Sequence, residues 1–82
     1  MAVRISVMAF GPAADALGGG EQSLSLEAGA TVAQLVARLI RERPALGGVA
    51  GLRFAVNRSF ATGDRPLADG DVVALIPPVS GG

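Results

Sequence analysis

The chain has 82 residues, half of them hydrophobic, and its seven acidic and seven basic residues give a formal net charge of zero. This composition predicts one small globular domain, and the neutral balance removes the attraction to nucleic acid or to an anionic membrane that a basic chain would have. The sequence contains no cysteine and no histidine, which excludes disulfides, thiolate nucleophiles, zinc clusters and imidazole acid–base chemistry.

Two segments in the first third of the chain alternate between apolar and polar residues, which is typical of strands. In residues 3–10, Ile5 and Val7 lie on one face and Phe10 lies on the other, and residues 21–27 repeat the alternation. The proline and glycines between the two segments favour a short helical turn. We therefore expect an antiparallel strand pair joined by a wide loop.

A helix is expected next, because its start, its apolar face and its end are all marked. Thr31 stands at the N-cap position, and Gln34 three residues later completes a capping-box pattern. Pro44 ends the helix. Between these limits, five apolar residues recur at helical spacing and form one stripe. They are Val32, Leu35, Val36, Leu39 and Ile40.

The second half of the chain predicts shorter elements. Residues 45–51 are expected to be a flexible crossing, and two short strands are expected on either side of a turn at Asn57 and Arg58. A strand rich in β-branched residues follows over residues 71–76.

This order of elements predicts an α+β fold, the β-grasp, with a mixed sheet of four to five strands and one main helix. A single helix stripe needs one sheet face to cover it, and the simplest right-handed arrangement lays the first and last strands side by side in parallel. We expect one β-grasp domain over residues 1–76 and an extended tail over residues 77–82.

The tail itself predicts a device for presenting a carboxyl group. Pro77 and Pro78 favour an extended polyproline conformation, and six residues span roughly 20 Å. The side-chain-free tip of Gly81 and Gly82 is able to thread a narrow channel and leaves the last carbonyl carbon open to attack. A free carboxylate reacts poorly, so a partner would have to adenylate it before sulfide or a persulfide could convert it to a thiocarboxylate. A frayed, inert terminus is the alternative for a Gly-Gly end.

The same residues carry a resemblance to a known family. The segment "AVN" in the short strand pair and "PLADGDVVALIPPVSGG" at the end resemble the small subunit of molybdopterin synthase, a ubiquitin-like sulfur carrier. The likeness extends loosely to "FGPAADALG" and the capped helix. It departs at Ala13 and Ala14, because the family usually has a basic residue in that turn.

The resemblance implies a carrier and not an enzyme. An E1-like enzyme would use ATP to adenylate Gly82, and a sulfur donor would convert the adenylate to a thiocarboxylate. The tail would then enter the large synthase subunit, where the sulfur attacks cyclic pyranopterin monophosphate and two transfers build the dithiolene of molybdopterin. In the family the synthase is a heterotetramer. The chain itself is expected to bind no cofactor and no metal, to contact neither nucleic acid nor membrane, and to be cytoplasmic.

A docking surface is expected beside the tail. By strand alternation, Phe10, Phe60 and Ile76 form an exposed apolar patch there, and similar positions in the family dock the activating enzyme and the large subunit in turn. The alternative is that Phe10 or Phe60 caps the end of the small core. The full set expected to bind partners is Phe10, Phe60, Ile76, Pro77, Pro78, Val79 and Ser80.

Asp69 and Asp71 are expected to form a turn around Gly70, which tolerates positive φ. They are not expected to be a catalytic pair, because the sequence offers no histidine, lysine or metal-ligand partner to complete such a site.

Three other functions stay open from the sequence. A carrier for thiazole synthesis would use the same chemistry, and a ubiquitin-like protein modifier would transfer the activated acyl group to an amine. The absence of lysine argues against a modifier that builds chains on itself. A β-grasp interaction module with an inert tail belongs to a different class altogether.

Overall fold

The computed structural model describes residues 1–78, and Val79, Ser80, Gly81 and Gly82 lie outside the described residues. Within residues 1–78 the chain forms five strands, two α-helices and one 3₁₀ helix. In chain order they are β1 (Ala2–Ala9), α1 (Gly11–Leu17), β2 (Glu21–Glu27), α2 (Val32–Glu42), the 3₁₀ helix (Pro44–Gly48), β3 (Arg53–Val56), β4 (Ser59–Ala61) and β5 (Val72–Ile76).

The described strands form one mixed sheet with the order β2-β1-β5-β3-β4. The first and last strands, β1 and β5, are central and parallel, whereas the neighbouring strands pair antiparallel. This is the arrangement that the single-helix argument predicted, and the β-grasp fold is confirmed.

The core lies between one face of the sheet and α2. Ile5 and Val7 of β1 and Val73 and Leu75 of β5 are at most 1% exposed, as alternation requires. The helix contributes three buried residues to the same core, namely Val32, Leu35 and Leu39.

The start of α2 is fixed by the predicted capping box. The Thr31 hydroxyl accepts a hydrogen bond from the Gln34 backbone N–H at 3.3 Å, and the Gln34 side-chain oxygen accepts one from the Thr31 N–H at 2.8 Å. The two bonds satisfy backbone donors that the first helical turn leaves unpaired.

One residue of the predicted stripe is exposed, and one expectation about the segment after the helix was wrong. Ile40 is 37% exposed, because it lies about 80° around the helix from Val32, at the outer edge of the stripe, and sits beside Gly47. The segment after Pro44 is a 3₁₀ helix and not a flexible crossing. Leu46 of this segment is 1% exposed and closes the end of the core.

Among residues 1–78 the longest helix is α2, with 11 residues, and no helix is long and apolar enough to cross a bilayer.

Candidate docking groove and tail root

The tail leaves the sheet from its central strand. β5 ends at Ile76 and is followed by Pro77, which is partly buried, and Pro78, which is exposed. Because β5 is parallel to β1 and antiparallel to β3, it ends between the last residue of β1 and the first residue of β3. The tail root, defined as Pro77 and Pro78, is therefore held on both sides by the chain.

The outer face of the sheet, which faces away from α2, carries an apolar groove next to the tail root. Ala74 of β5 pairs with Met8 on one side and with Ala55 on the other, and Ala55 pairs in turn with Phe60. Two alanines thus form the floor of a row that has a large side chain at each end. The groove is lined by Met8, Phe10, Ala55, Asn57, Arg58, Phe60, Val72, Ala74 and Ile76.

The rim of the groove contains the exposed phenylalanines. Phe10 is 48% exposed and Phe60 is 69% exposed, and Ile76 is partly buried between them and the tail root. The structure therefore brings the three predicted residues to one groove, and neither phenylalanine caps the core. The Arg53 guanidinium carbon lies 5.9 Å from the centre of the Phe60 ring, which is within the range of a cation–π contact.

Strand alternation also identifies lining residues that the sequence analysis did not name. Met8 has the same orientation as Phe10 two positions later, and Val72 and Ala74 alternate with the buried Val73 and Leu75. The signal was available in the sequence. The role of Ala55 was not, because it depends on the register between β3, β4 and β5.

The aspartates that the sequence assigned to a turn hold the start of β5. Asp71 accepts hydrogen bonds from the Ala68 N–H at 2.8 Å and from the Asn57 side-chain amide at 2.9 Å. Asp69 accepts one from the Arg4 N–H at 2.7 Å. The turn-forming assignment is confirmed.

These contacts also lower the pKa of the Asp71 carboxyl group. The Ala68 hydrogen bond lowers the pKa of this carboxyl group below the ordinary 3.8. Burial opposes this lowering more weakly, and the Asn57 side chain and Arg65 add smaller lowering effects. Asn57 in turn accepts a hydrogen bond from the Val72 N–H at 3.0 Å, so the β3–β4 turn is tied to β5 beneath the groove.

The turn that departs from the family pattern belongs to the core. Ala13 of α1 has no exposed surface and Ala14 is partly buried. A basic side chain at Ala13 would have to displace core atoms, so this chain has no room for a polar contact to a partner at that position.

Acidic side chains within residues 1–78 do not gather into a metal site: no group of three or more His, Cys, Asp or Glu there is arranged to hold an ion.

Comparison with known proteins matches this fold and tail to a family. The profile of the ThiS family matches residues 7–82, which is nearly the whole chain. The chain belongs to the ThiS family. This ThiS-family chain is similar to the molybdopterin synthase sulfur carrier subunit of Chlamydomonas reinhardtii. The two are 38% identical, over 98% of this chain and 100% of the relative. The resemblance drawn from the sequence is therefore confirmed.

Two solved structures are similar to this ThiS-family chain. The crystal structure of SAMP1 from Haloferax volcanii is similar with a TM-score of 0.85 and 27% identity, covering 96% of this chain and 99% of that one. Subunits 1 and 2 of the molybdopterin-converting factor from Helicobacter pylori form a protein–protein complex, which matches with a TM-score of 0.66 and 29% identity. The match covers 98% of this chain and 100% of that one.

Proposed function

We propose that the chain is the sulfur carrier of a molybdopterin synthase and that the carboxyl group of Gly82 carries the sulfur. The observation that carries this proposal is the position of the tail root, because Pro77 and Pro78 leave the central strand beside an exposed apolar groove. A partner protein can bind such a groove while the adjoining tail extends into the active site of that partner. Membership in the ThiS family and the 38% identity to the Chlamydomonas carrier subunit support the same assignment.

The chemistry proceeds on partner enzymes. An E1-like enzyme joins the Gly82 carboxylate to the AMP part of ATP and releases pyrophosphate. A donor then supplies sulfur at the oxidation level of sulfide, which forms the carbon–sulfur bond and releases AMP. In the large subunit the thiocarboxylate sulfur forms a bond to a side-chain carbon of cyclic pyranopterin monophosphate, while a carbon–oxygen bond at that carbon breaks and its oxygen leaves. Water then hydrolyses the thioester that joins Gly82 to the precursor, which restores the Gly82 carboxylate and leaves the sulfur on the precursor. Two rounds supply both sulfurs of the dithiolene.

Apart from Gly82, the chain's residues present the acyl group and form no covalent bond in this chemistry. The groove docks the partner, the two prolines hold the arm away from the sheet, and Gly81 lets the tip pass through a narrow channel. The chain binds no cofactor, since ATP binds the activating enzyme. The residues proposed to contact partners are Phe10, Phe60, Ile76, Pro77, Pro78, Val79 and Ser80.

One groove serves two partners in turn. The Helicobacter pylori complex of subunits 1 and 2 supports a large synthase subunit as one of them. The activating enzyme is the other, and it must reach the same tail, so the two proteins compete for the groove. We place this exchange, and the heterotetramer that the loaded chain forms, in the cytoplasm.

Intact-mass measurement tests the proposal. The full chain is incubated with its E1-like enzyme, ATP and sulfide. We expect a mass gain equal to the replacement of one oxygen by one sulfur, and no gain without ATP or in the chain that lacks Gly82. An unchanged mass, with an activating enzyme that catalyses ATP–pyrophosphate exchange in the presence of another carrier, would contradict the proposal and favour an inert interaction module.

A second candidate function is a ubiquitin-like protein modifier, which the likeness to SAMP1, the small archaeal modifier protein 1, favours. It shares the activated Gly82 and differs in the acceptor, an amine in place of the pterin precursor. The chain, with its activating enzyme, ATP and sulfide, is therefore incubated either with the large subunit and the precursor or with a cell extract. Dithiolene formation supports the carrier, whereas covalent conjugates to lysine without dithiolene formation support the modifier.

A further inference from the structure

We infer that Gly51 is a positioning residue for the transfer chemistry, because its missing side chain leaves the space through which the tail root passes. The inference rests on the proposed function, in which the direction of the arm matters. It concerns the segment between the 3₁₀ helix and β3, a part of the chain far in sequence from the tail.

The topology of the sheet brings this segment to the tail. The start of β3 lies beside the end of β5, since Arg53 pairs with Ile76. Residues just before β3 therefore flank residues just after β5. On the other side, the end of β1 plays the same part, because Ala9 pairs with Leu75 and Gly11 follows two residues later.

Both flanking positions are glycines with positive φ, and the two differ in how closely the tail approaches. A Cβ atom on Gly11 would lie 3.5 Å from Pro77 Cγ, which is an ordinary van der Waals contact. A Cβ atom on Gly51 would lie 3.0 Å from Pro78 Cγ and 3.5 Å from two further atoms of the same ring. Glycine at position 51 therefore lets the ring of Pro78 come unusually close to the backbone of this segment.

The ring of Pro78 can yield to a methyl group at position 51 only by changing its pucker. It is closed onto its own backbone nitrogen, so it cannot rotate away as a flexible side chain does. The displacement passes to the backbone instead, and four residues follow Pro78, of which Gly82 is the last. Extended, these residues reach about 13 Å. A small change of direction at the root therefore moves the reacting carboxyl group away from its in-line position.

The test compares Gly51→Ala with Gly29→Ala. Gly29 also has positive φ, at 89° against 69° for Gly51, and no described atom lies within 4 Å of a Cβ built on it. Both variants carry similar backbone strain, so we expect similar losses of melting temperature. Only Gly51→Ala should slow thiocarboxylate formation, on the order of tenfold at saturating activating enzyme. The enzyme concentration for half-maximal rate should change much less than the maximal rate, because Phe10, Phe60 and Ile76 of the groove are unaltered.

The double variant Gly51→Ala with Pro78→Ala identifies the contact responsible. Removing the ring removes the atom at 3.0 Å, so the double variant should react as fast as Pro78→Ala alone. A double variant that reacts more slowly than Pro78→Ala alone would overturn the inference. Equal rates of thiocarboxylate formation for Gly51→Ala and Gly29→Ala would also overturn it. Failure of the wild-type chain to gain sulfur at all would instead count against the proposed function.

A measurement on the wild-type chain covers the case in which Gly51→Ala does not fold. The α-protons of Gly51 and the ring protons of Pro78 should give a nuclear Overhauser cross-peak in solution. Its absence under conditions where the Arg53–Ile76 strand pairing is seen would overturn the inference.

Discussion

The two faces of β5 differ in what covers them, although their residues alternate along one short strand. Val73 and Leu75 have no exposed surface and pack under α2, whereas Ala74 and Ile76 face the groove beside the tail root. The inner face is large and apolar because it must hold the domain together. The outer face has a small residue at its centre, and the concavity that results is suited to a side chain from another protein. Fold and docking are thus separable by single substitutions on neighbouring residues.

The largest effect is expected when Leu75 and its neighbour Ile76, which lie on opposite faces of β5, are each replaced by alanine. Leu75→Ala should lower the free energy of unfolding by about 2–5 kcal/mol, because it leaves a cavity in the core. In a domain of this size that corresponds to a fall in melting temperature of at least about 8 °C. Ile76→Ala, its neighbour on the groove side, should lose less stability and more affinity for the large subunit. Thermal denaturation and titration calorimetry measure the two effects, and equal stability losses would show that both faces serve the core.

Phe10→Asp tests the outer face alone. Phe10 is the N-cap residue of α1 and its side chain is half exposed, and aspartate is a favourable N-cap, so the fold should persist. Binding to the large subunit should weaken by about 2 kcal/mol or more, roughly 30-fold. Ile40→Asp, an exposed apolar residue on the opposite side of the molecule, is the matched control and should bind normally. A Phe10→Asp chain that unfolds would place Phe10 in the core.

The smallest expected effect concerns Asp71, which joins the β3–β4 turn to the start of β5 through its hydrogen bond with Asn57. Its folded pKa is lowered, so its stabilisation is complete above the unfolded value of 3.8 and is lost as pH falls through the folded value. Asp71→Ala should cost about 1–3 kcal/mol at neutral pH. The cost should shrink below pH 3.8, as measured by urea unfolding. Asp15→Ala on α1 changes the net charge equally and serves as the control; an equal pH dependence of the cost in both variants would assign the effect to net charge.

Much of the fold was predictable because the controlling interactions are local. The capping box lies within four residues, and the alternation in β1 and β5 repeats every second residue. Given these elements, one helix stripe and a right-handed connection leave few arrangements. The 3₁₀ helix was missed because glycines and alanines around Leu46 carry little local preference, and the burial of Leu46 against the core decides its conformation.

The candidate site was predictable only in part, for a related reason. Phe10 and Phe60 were assigned to a surface because alternation directs them away from the core. The alanine floor needs the register of three strands, and the closeness of Gly51 to Pro78 needs the sheet order. Such contacts join residues that are distant in sequence, so no local pattern records them.

The measurement that tests the account most directly is dithiolene synthesis by a chain carrying one additional phenylalanine after Gly82. The fold and the groove stay as they are, and only the reacting carboxyl group changes its place and its neighbour. With the large subunit, activating enzyme, ATP, sulfide and precursor, the account predicts dithiolene from the unmodified chain and none from the extended chain. Equal product from the two chains, with the added residue still present by mass, would contradict it.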